Sequence, residues 1–135
     1  MAEIETLLFA NETFYDAFSA RDVQQMRSLW RNSNDILCIH PGWGPLRGYK
    51  DVLESWALIL GASEKSKITP INPIVTKAGA VGSVVCLEKL ENQYLIATNL
   101  FLFESGSWLM IHHHAGPTSA PGYDPLTTDI KQQIH

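Results

Sequence analysis

Apolar side chains recur at steps of three and four through the first stretch of the chain. Ile4, Leu7, Leu8, Phe14, Tyr15 and Phe18, with the polar Asn11 among them, fall on one stripe at 3.6 residues per turn. This spacing predicts a helix. Ser19-Ala20-Arg21 loosens it, and Asp22 with Gln25 three residues on predicts a capping box that starts a second helix near Val23. Val23, Met26, Leu29 and Trp30 give that helix its apolar face. Asn32-Ser33-Asn34-Asp35 ends it, because these side chains compete for backbone hydrogen bonds. Ile36 to Ile39 reads as a short buried strand. His40 to Gly48 holds three glycines and two prolines and is expected to be irregular. Val52, Leu53, Trp56, Ile59 and Leu60 then mark a third helix, with Gly61 as its natural stop.

From Ile68 onward the period changes to two. Pro70 and Pro73 have no N–H to give a ladder, so the strand over 68–76 belongs at a sheet edge. Turns at Lys77-Ala78-Gly79, Glu91-Asn92-Gln93 and Ser105-Gly106-Ser107 separate it from strands over 81–90, 94–104 and 108–115. Four strands joined in this way form an antiparallel meander. The whole order predicts an α+β domain with helices gathered on one face of a curved sheet. Residues 1–119 read as one domain and 120–135 as a C-terminal tail; the end from Gly116 to His135 is rich in Pro, Gly, Thr and Ser, with one weak helical turn near Ile130.

A chain of 135 residues and 15.1 kDa suits a single domain with a core of its own. With 45% hydrophobic and 18% charged residues it is not a disordered polymer. Ten basic against fourteen acidic residues, a formal charge of −4, is the wrong sign for a nucleic-acid partner. No apolar run approaches the roughly 20 residues that cross a bilayer, and no membrane partner is expected. The N-terminus carries acids where a secretory signal carries Lys or Arg, which points to the cytoplasm. Cys38 and Cys86, inside apolar segments, are expected as free buried thiols.

The candidate chemistry lies in the polar exceptions to apolar stretches. In the last strand, alternation puts Trp108, Met110, His112 and His114 on one face and Leu109, Ile111 and His113 on the other. Both faces are mostly apolar, so both are expected to be covered, one by the helices and one by a second copy of the chain. Three readings of the His112/His114 pair stay open. They are core histidines satisfied by neighbours, acid–base groups in a pocket, or two ligands of a metal with His40 or Glu88 as the third. His40 precedes Pro41 and is therefore extended; it either caps the loop or moves protons near neutral pH. Trp43 and Trp56 either pack or line an apolar cavity. Arg47 either binds an anionic substrate or stays solvated. Asn99 shares a strand face with Leu95, Ala97, Phe101 and Phe103, where an amide needs partners, and Tyr15 lies on the first helix's inward stripe.

The runs ANETFYDAFSARDVQQMRSLW and ILCIHPGWGPLRGYKDVLESW, with the closing strand SWLMIHHHAGP, resemble the NTF2-like, or SnoaL-like, superfamily in its branch of small ketosteroid-isomerase-like homologues. The resemblance covers Glu3 to about Ser119. It implies a cone-shaped, cystatin-like fold: three helices on a strongly bent antiparallel sheet, a deep apolar pocket at one end, and dimers through the outer sheet face. Ketosteroid isomerases carry Asp-Pro where this chain has His40-Pro41. Their first helix lends a tyrosine to the oxyanion hole, for which Tyr15 is the candidate. Related dehydratases use pocket histidines. The resemblance thus implies a small hydrophobic ligand, with His40 as general base and Tyr15, Asn99 and His112 or His114 polarising a carbonyl or hydroxyl. Trp43, Arg47, Trp56 and Phe101 would line the site. The chemistry would be isomerase-, cyclase- or dehydratase-like and need neither cofactor nor metal. The alternative is a non-catalytic ligand-binding or dimerisation module.

Overall fold

Three helices, α1 (Ala2–Ala20), α2 (Val23–Leu29) and α3 (Tyr49–Gly61), form where the three-to-four spacing predicts them. The computed structural model describes residues 2–62 and 67–119. The expected tail over 120–135, with its turn near Ile130, lies outside the described residues. Half of the predicted capping box forms: the Asp22 side chain accepts from the Gln25 N–H at 3.0 Å. The Asp22 N–H itself goes to the Ala17 carbonyl, tying α2 back to α1. The buried face of α1 is Leu7, Asn11, Phe14, Tyr15 and Ala17, while Ile4, expected on that stripe, stands half exposed one turn earlier.

The strands are β1 (Leu37–Ile39), β2 (Leu46–Arg47), β3 (Thr69–Ala78), β4 (Val81–Lys89), β5 (Tyr94–Glu104) and β6 (Ser107–Thr118), arranged as β2-β1-β6-β5-β4-β3. Strands β3 to β6 are the expected meander, and β1 joins it parallel to β6. The proline-bearing β3 is at the edge, and its register breaks between Ile71 and Ile74, where Asn72 takes a φ of +54°. The segment expected to be wholly irregular contributes β2, just beyond Pro45 and paired antiparallel to β1. Ahead of it, Pro41 and Gly42 (φ +82°) form a turn closed by the Trp43 N–H on the His40 carbonyl at 2.9 Å.

The helices cover one face of the sheet. Gly82 on β4 permits the close approach of α1, since a Cβ there would meet the Leu7 side chain at 2.5 Å. The core between them holds Phe14, Met26, Ile36, Trp56, Phe101 and Met110, with both cysteines buried as free thiols. None of the helices among the described residues is long and apolar enough to cross a membrane.

One irregularity changes the chemistry. Met110 pairs with Phe101 and His112 with Leu100, which leaves Ile111 as the extra residue of a β-bulge. The other edge of β6 changes partner at the same place. The Met110 carbonyl accepts from the Arg31 N–H at 2.9 Å, and His112 to His114 run alongside β1. Inward residues on β6 are therefore Trp108, Met110, His113 and Ala115. The expected inward placement of His112 and His114 is corrected: both lie on the outer face, and His113 takes the interior position.

Candidate functional site

Strand β1 ends by delivering His40 into the space under α3, where Ser55 and Trp56 meet it. Ser55 Oγ donates its one proton to the Val52 carbonyl at 2.6 Å, so it accepts from His40 Nε2–H at 2.8 Å. That leaves His40 Nδ1 as the bare nitrogen; among the described residues its hydrogen-bonding neighbour is the Cys38 sulfur, 4.0 Å away and nearer to Nε2 at 3.7 Å. Burial pushes the His40 imidazole down to about 4, so it is neutral at physiological pH. Trp56 packs edge-on against it with ring centroids 4.8 Å apart, and Trp43 packs edge-on at 4.9 Å while remaining 45% exposed. Trp43 is thus the wall between His40 and solvent.

The centre of the sheet supplies the second half. His113 Nδ1 sits 2.6 Å from Asn99 Oδ1. Asn99 Nδ2 donates to Asn11 Oδ1 at 2.8 Å and to the Tyr15 hydroxyl at 3.1 Å. Tyr15 in turn donates to Glu88 Oε2 at 2.5 Å and accepts from the Cys86 thiol at 3.4 Å. All of these residues are buried. Burial, reinforced by the charges of the other histidines, holds His113 down at about 3. Burial lifts the Glu88 carboxyl to about 7, against the Tyr15 hydroxyl that pulls it back. It also raises the Tyr15 phenol well above its usual range, with the nearby Glu88 charge adding to the effect. The Cys38 thiol, pushed to about 12 by burial, is inert.

The two halves meet at aromatic rings. His113 lies 6.5 Å from His40, 5.7 Å from Trp56 and 5.0 Å from Phe14, centroid to centroid. The Trp56 indole N–H, buried among them, has no nitrogen or oxygen partner among the described residues. Chemically, the cluster offers two neutral imidazoles, each with one nitrogen tied by a neighbour. These rings pack against one another in the interior. Two cavities lie elsewhere: about 450 Å³ beside Phe9, Phe103 and Trp108, and about 230 Å³ beside Tyr15, Ser19 and Lys67.

Of the residues singled out from sequence, the fold brings His40, Tyr15, Trp56, Asn99 and Phe101 into the interior and sets Trp43 at its rim. Arg47 does not join them. It is exposed, paired with Asp35 at 3.1 Å, because its pairing with Leu37 turns it to the outer side of the sheet. His112 and His114 stand across the sheet from His40 and Glu88, so the metal set considered above is not assembled. No group of three His, Cys, Asp or Glu side chains able to hold a metal occurs among the described residues. Sequence reasoning missed Ser55 and the position of His113, and it considered Glu88 only as a metal ligand. Glu88 was legible, since it shares the inward parity of Val84 and Cys86 on β4.

Residues 8–119 match a family described as the SnoaL-like domain. An F-box protein of Arabidopsis thaliana, SKIP8, is 31% identical over 117 residues, which is 84% of this chain and 50% of that protein. The chain thus spans about half the length of the curated relative it matches. Among solved structures, a proposed dehydratase of the NTF2-like family from Streptomyces avermitilis is 31% identical with a TM-score of 0.81, covering 88% of this chain and 98% of that one. An NTF2-like protein of unknown function from Pseudomonas putida, 18% identical with a TM-score of 0.74 over 90% of this chain and 89% of that one, shares the fold.

Proposed function

Because the chain belongs to the SnoaL-like domain family of the NTF2-like superfamily, we propose that it performs cofactor-independent acid–base chemistry, of dehydratase type, on a small hydrophobic molecule. The observation that carries this reading is the pair of buried, neutral imidazoles, His40 and His113, held 6.5 Å apart by ring packing. The likeness to a proposed dehydratase along nearly all of that chain supports it. Dehydration next to a carbonyl asks little of a protein beyond a positioned base. His40 Nδ1 takes the proton from carbon and returns it to the departing hydroxyl. The C–H and C–O bonds break, a C=C bond forms, and water leaves with that proton. Ser55 keeps His40 oriented through the other nitrogen. Tyr15 and Asn99, whose polar atoms are committed to one another, support His113 rather than touch the ligand. Trp43 yields on its Pro41-Gly42 turn to admit the ligand.

Turnover of a panel of β-hydroxy ketones and enones tests the reading. His40→Ala is expected to lose about 100-fold or more of any activity the wild type shows, and His112→Ala to keep it. Wild-type turnover by His40→Ala would overturn the base assignment. The alternative, a non-catalytic binding module, is favoured by the close packing of the rings around both imidazoles and by the likeness to part of an F-box protein.

The partner we propose is a second copy of the chain on the outer sheet face. On that face His112 pairs with Leu100 and Leu37 and His114 with Thr98, Leu109 pairs with Leu102, and Val85, Leu87 and Ile96 lie farther along, while the charged Arg47, Lys89 and Glu104 lie at the margins. A largely apolar face, with His112 and His114 in its middle and charges at its rim, is the anatomy of an interface between like surfaces. Light scattering should give twice the chain mass at micromolar concentration, and a monomer would overturn the proposal.

A further inference from the structure

Glu88 has no part in the chemistry above, yet as the charged end of the interior hydrogen bonds it gives them a direction, which Asn11 supports from the side. Consider the donors in turn. The orientation of a buried amide is fixed by what its neighbours need. Tyr15 has one proton to give. Its oxygen already accepts from Asn99 Nδ2 at 3.1 Å and from the Cys86 thiol at 3.4 Å, so the proton goes to Glu88. With Asn99 Nδ2 facing Tyr15 and Asn11, its Oδ1 must face His113, and His113 Nδ1 must then carry a proton to reach it. Turning Asn99 over would set its oxygen against Asn11 Oδ1. It would also draw the Tyr15 proton away from Glu88 and leave a buried carboxyl without its donor. A carboxylate is the strongest acceptor in this set, so the end of the chain at Glu88 decides the arrangement at the other end.

Resting on the acid–base reading of the interior imidazoles, we propose that Glu88 is a positioning residue: through Tyr15 and Asn99 it holds His113 as the Nδ1–H tautomer and keeps Nε2 as the bare nitrogen. An amide does not pass a proton along, so Asn99 transmits orientation and not charge. Glu88 therefore sets which nitrogen of His113 is basic without exchanging a proton with it. The ring that lies beside His40 thus offers its neighbours a lone pair, whether to a substrate proton or to a ligand N–H or O–H. His40 meets the same requirement by a separate route, through Ser55.

The experiment is a two-bond ¹⁵N–¹H correlation spectrum of the histidine side chains in the full-length labelled protein at pH 8. The wild type is expected to show His113 protonated at Nδ1. Glu88→Gln replaces the charged acceptor by an amide that both donates and accepts. It is expected to lower the ratio of Nδ1–H to Nε2–H tautomer roughly tenfold, the order set by charge-assisted against neutral hydrogen bonds. Tyr15→Phe cuts the chain while keeping Glu88 and should move the ratio in the same direction, so the inference stays testable if Glu88→Gln does not fold. The His40 signals should stay in place in both variants. An Nε2–H tautomer in the wild type, or an unchanged His113 tautomer in either folded variant, would overturn the assignment. No substrate is needed, so a protein that passes this test and fails every turnover assay would refute the dehydratase reading alone.

Discussion

His113 and its neighbours His112 and His114 are the same residue type on one strand, yet the two sides of the sheet treat them as different chemical groups. On the inner side, His113 is 2% exposed, bonded to Asn99 and held down at about 3 by desolvation. On the outer side, His112 is half-buried, lowered by desolvation and by the His114 charge. The difference teaches that position relative to one bulge, and not the His-His-His run itself, decides which ring is available for chemistry in the interior.

The sharpest way to break this comparison is to remove partners on the inner side. Asn99→Leu keeps the branched outline, somewhat enlarged, but strands His113 Nδ1, Asn11 and Tyr15 without their bonds. It should cost about 2–4 kcal/mol in urea unfolding. His112→Ala and His114→Ala should each cost under about 0.5 kcal/mol of protomer stability. Equal costs would mean that the inner chain is ordinary packing.

Acid provides the next largest contrast. His40 and His113 titrate lower in the fold than in the unfolded chain, so their contribution is complete above about 6.5 and is lost as pH falls toward 4. Glu88 acts in the opposite sense. Its folded value is raised to about 7, so its contribution is complete below the ordinary carboxylate range and is lost as pH rises through 7. Two imidazoles outweigh one carboxyl, so wild-type stability should decline from pH 6.5 to 4.5. Glu88→Gln, which removes the opposing group, should steepen that decline. A shallower slope in the variant would show that Glu88 does not sit with a raised value.

Most of the architecture was legible because it follows from local periodicity. The stripe from Leu7 to Tyr15, the cap at Asp22 and the edge placement of a strand with Pro70 and Pro73 each depend on a few neighbouring residues. His40, Tyr15, Trp56 and Asn99 were legible for the same reason, as polar or aromatic groups on inward stripes. His113 was not, because strict alternation has no term for Ile111. The bulge arises where β5 pairs on one side and β6 passes from Arg31 to β1 on the other, and those partners are distant in sequence. Arg47 was left between two readings, substrate-binding or solvated, because β2 is only two residues long, too short to announce which way its side chains point.

The sheet's two borders carry a further consequence. One is the two-residue β2, and the other is β3, with Pro70, Pro73 and the left-handed Asn72 interrupting its ladder. Neither offers an incoming strand a continuous row of free amides to extend. Crowded molecules of this protein are thereby steered away from lateral, fibril-like growth, and any self-recognition is left to the broad side of the sheet, where it stops once two surfaces have met.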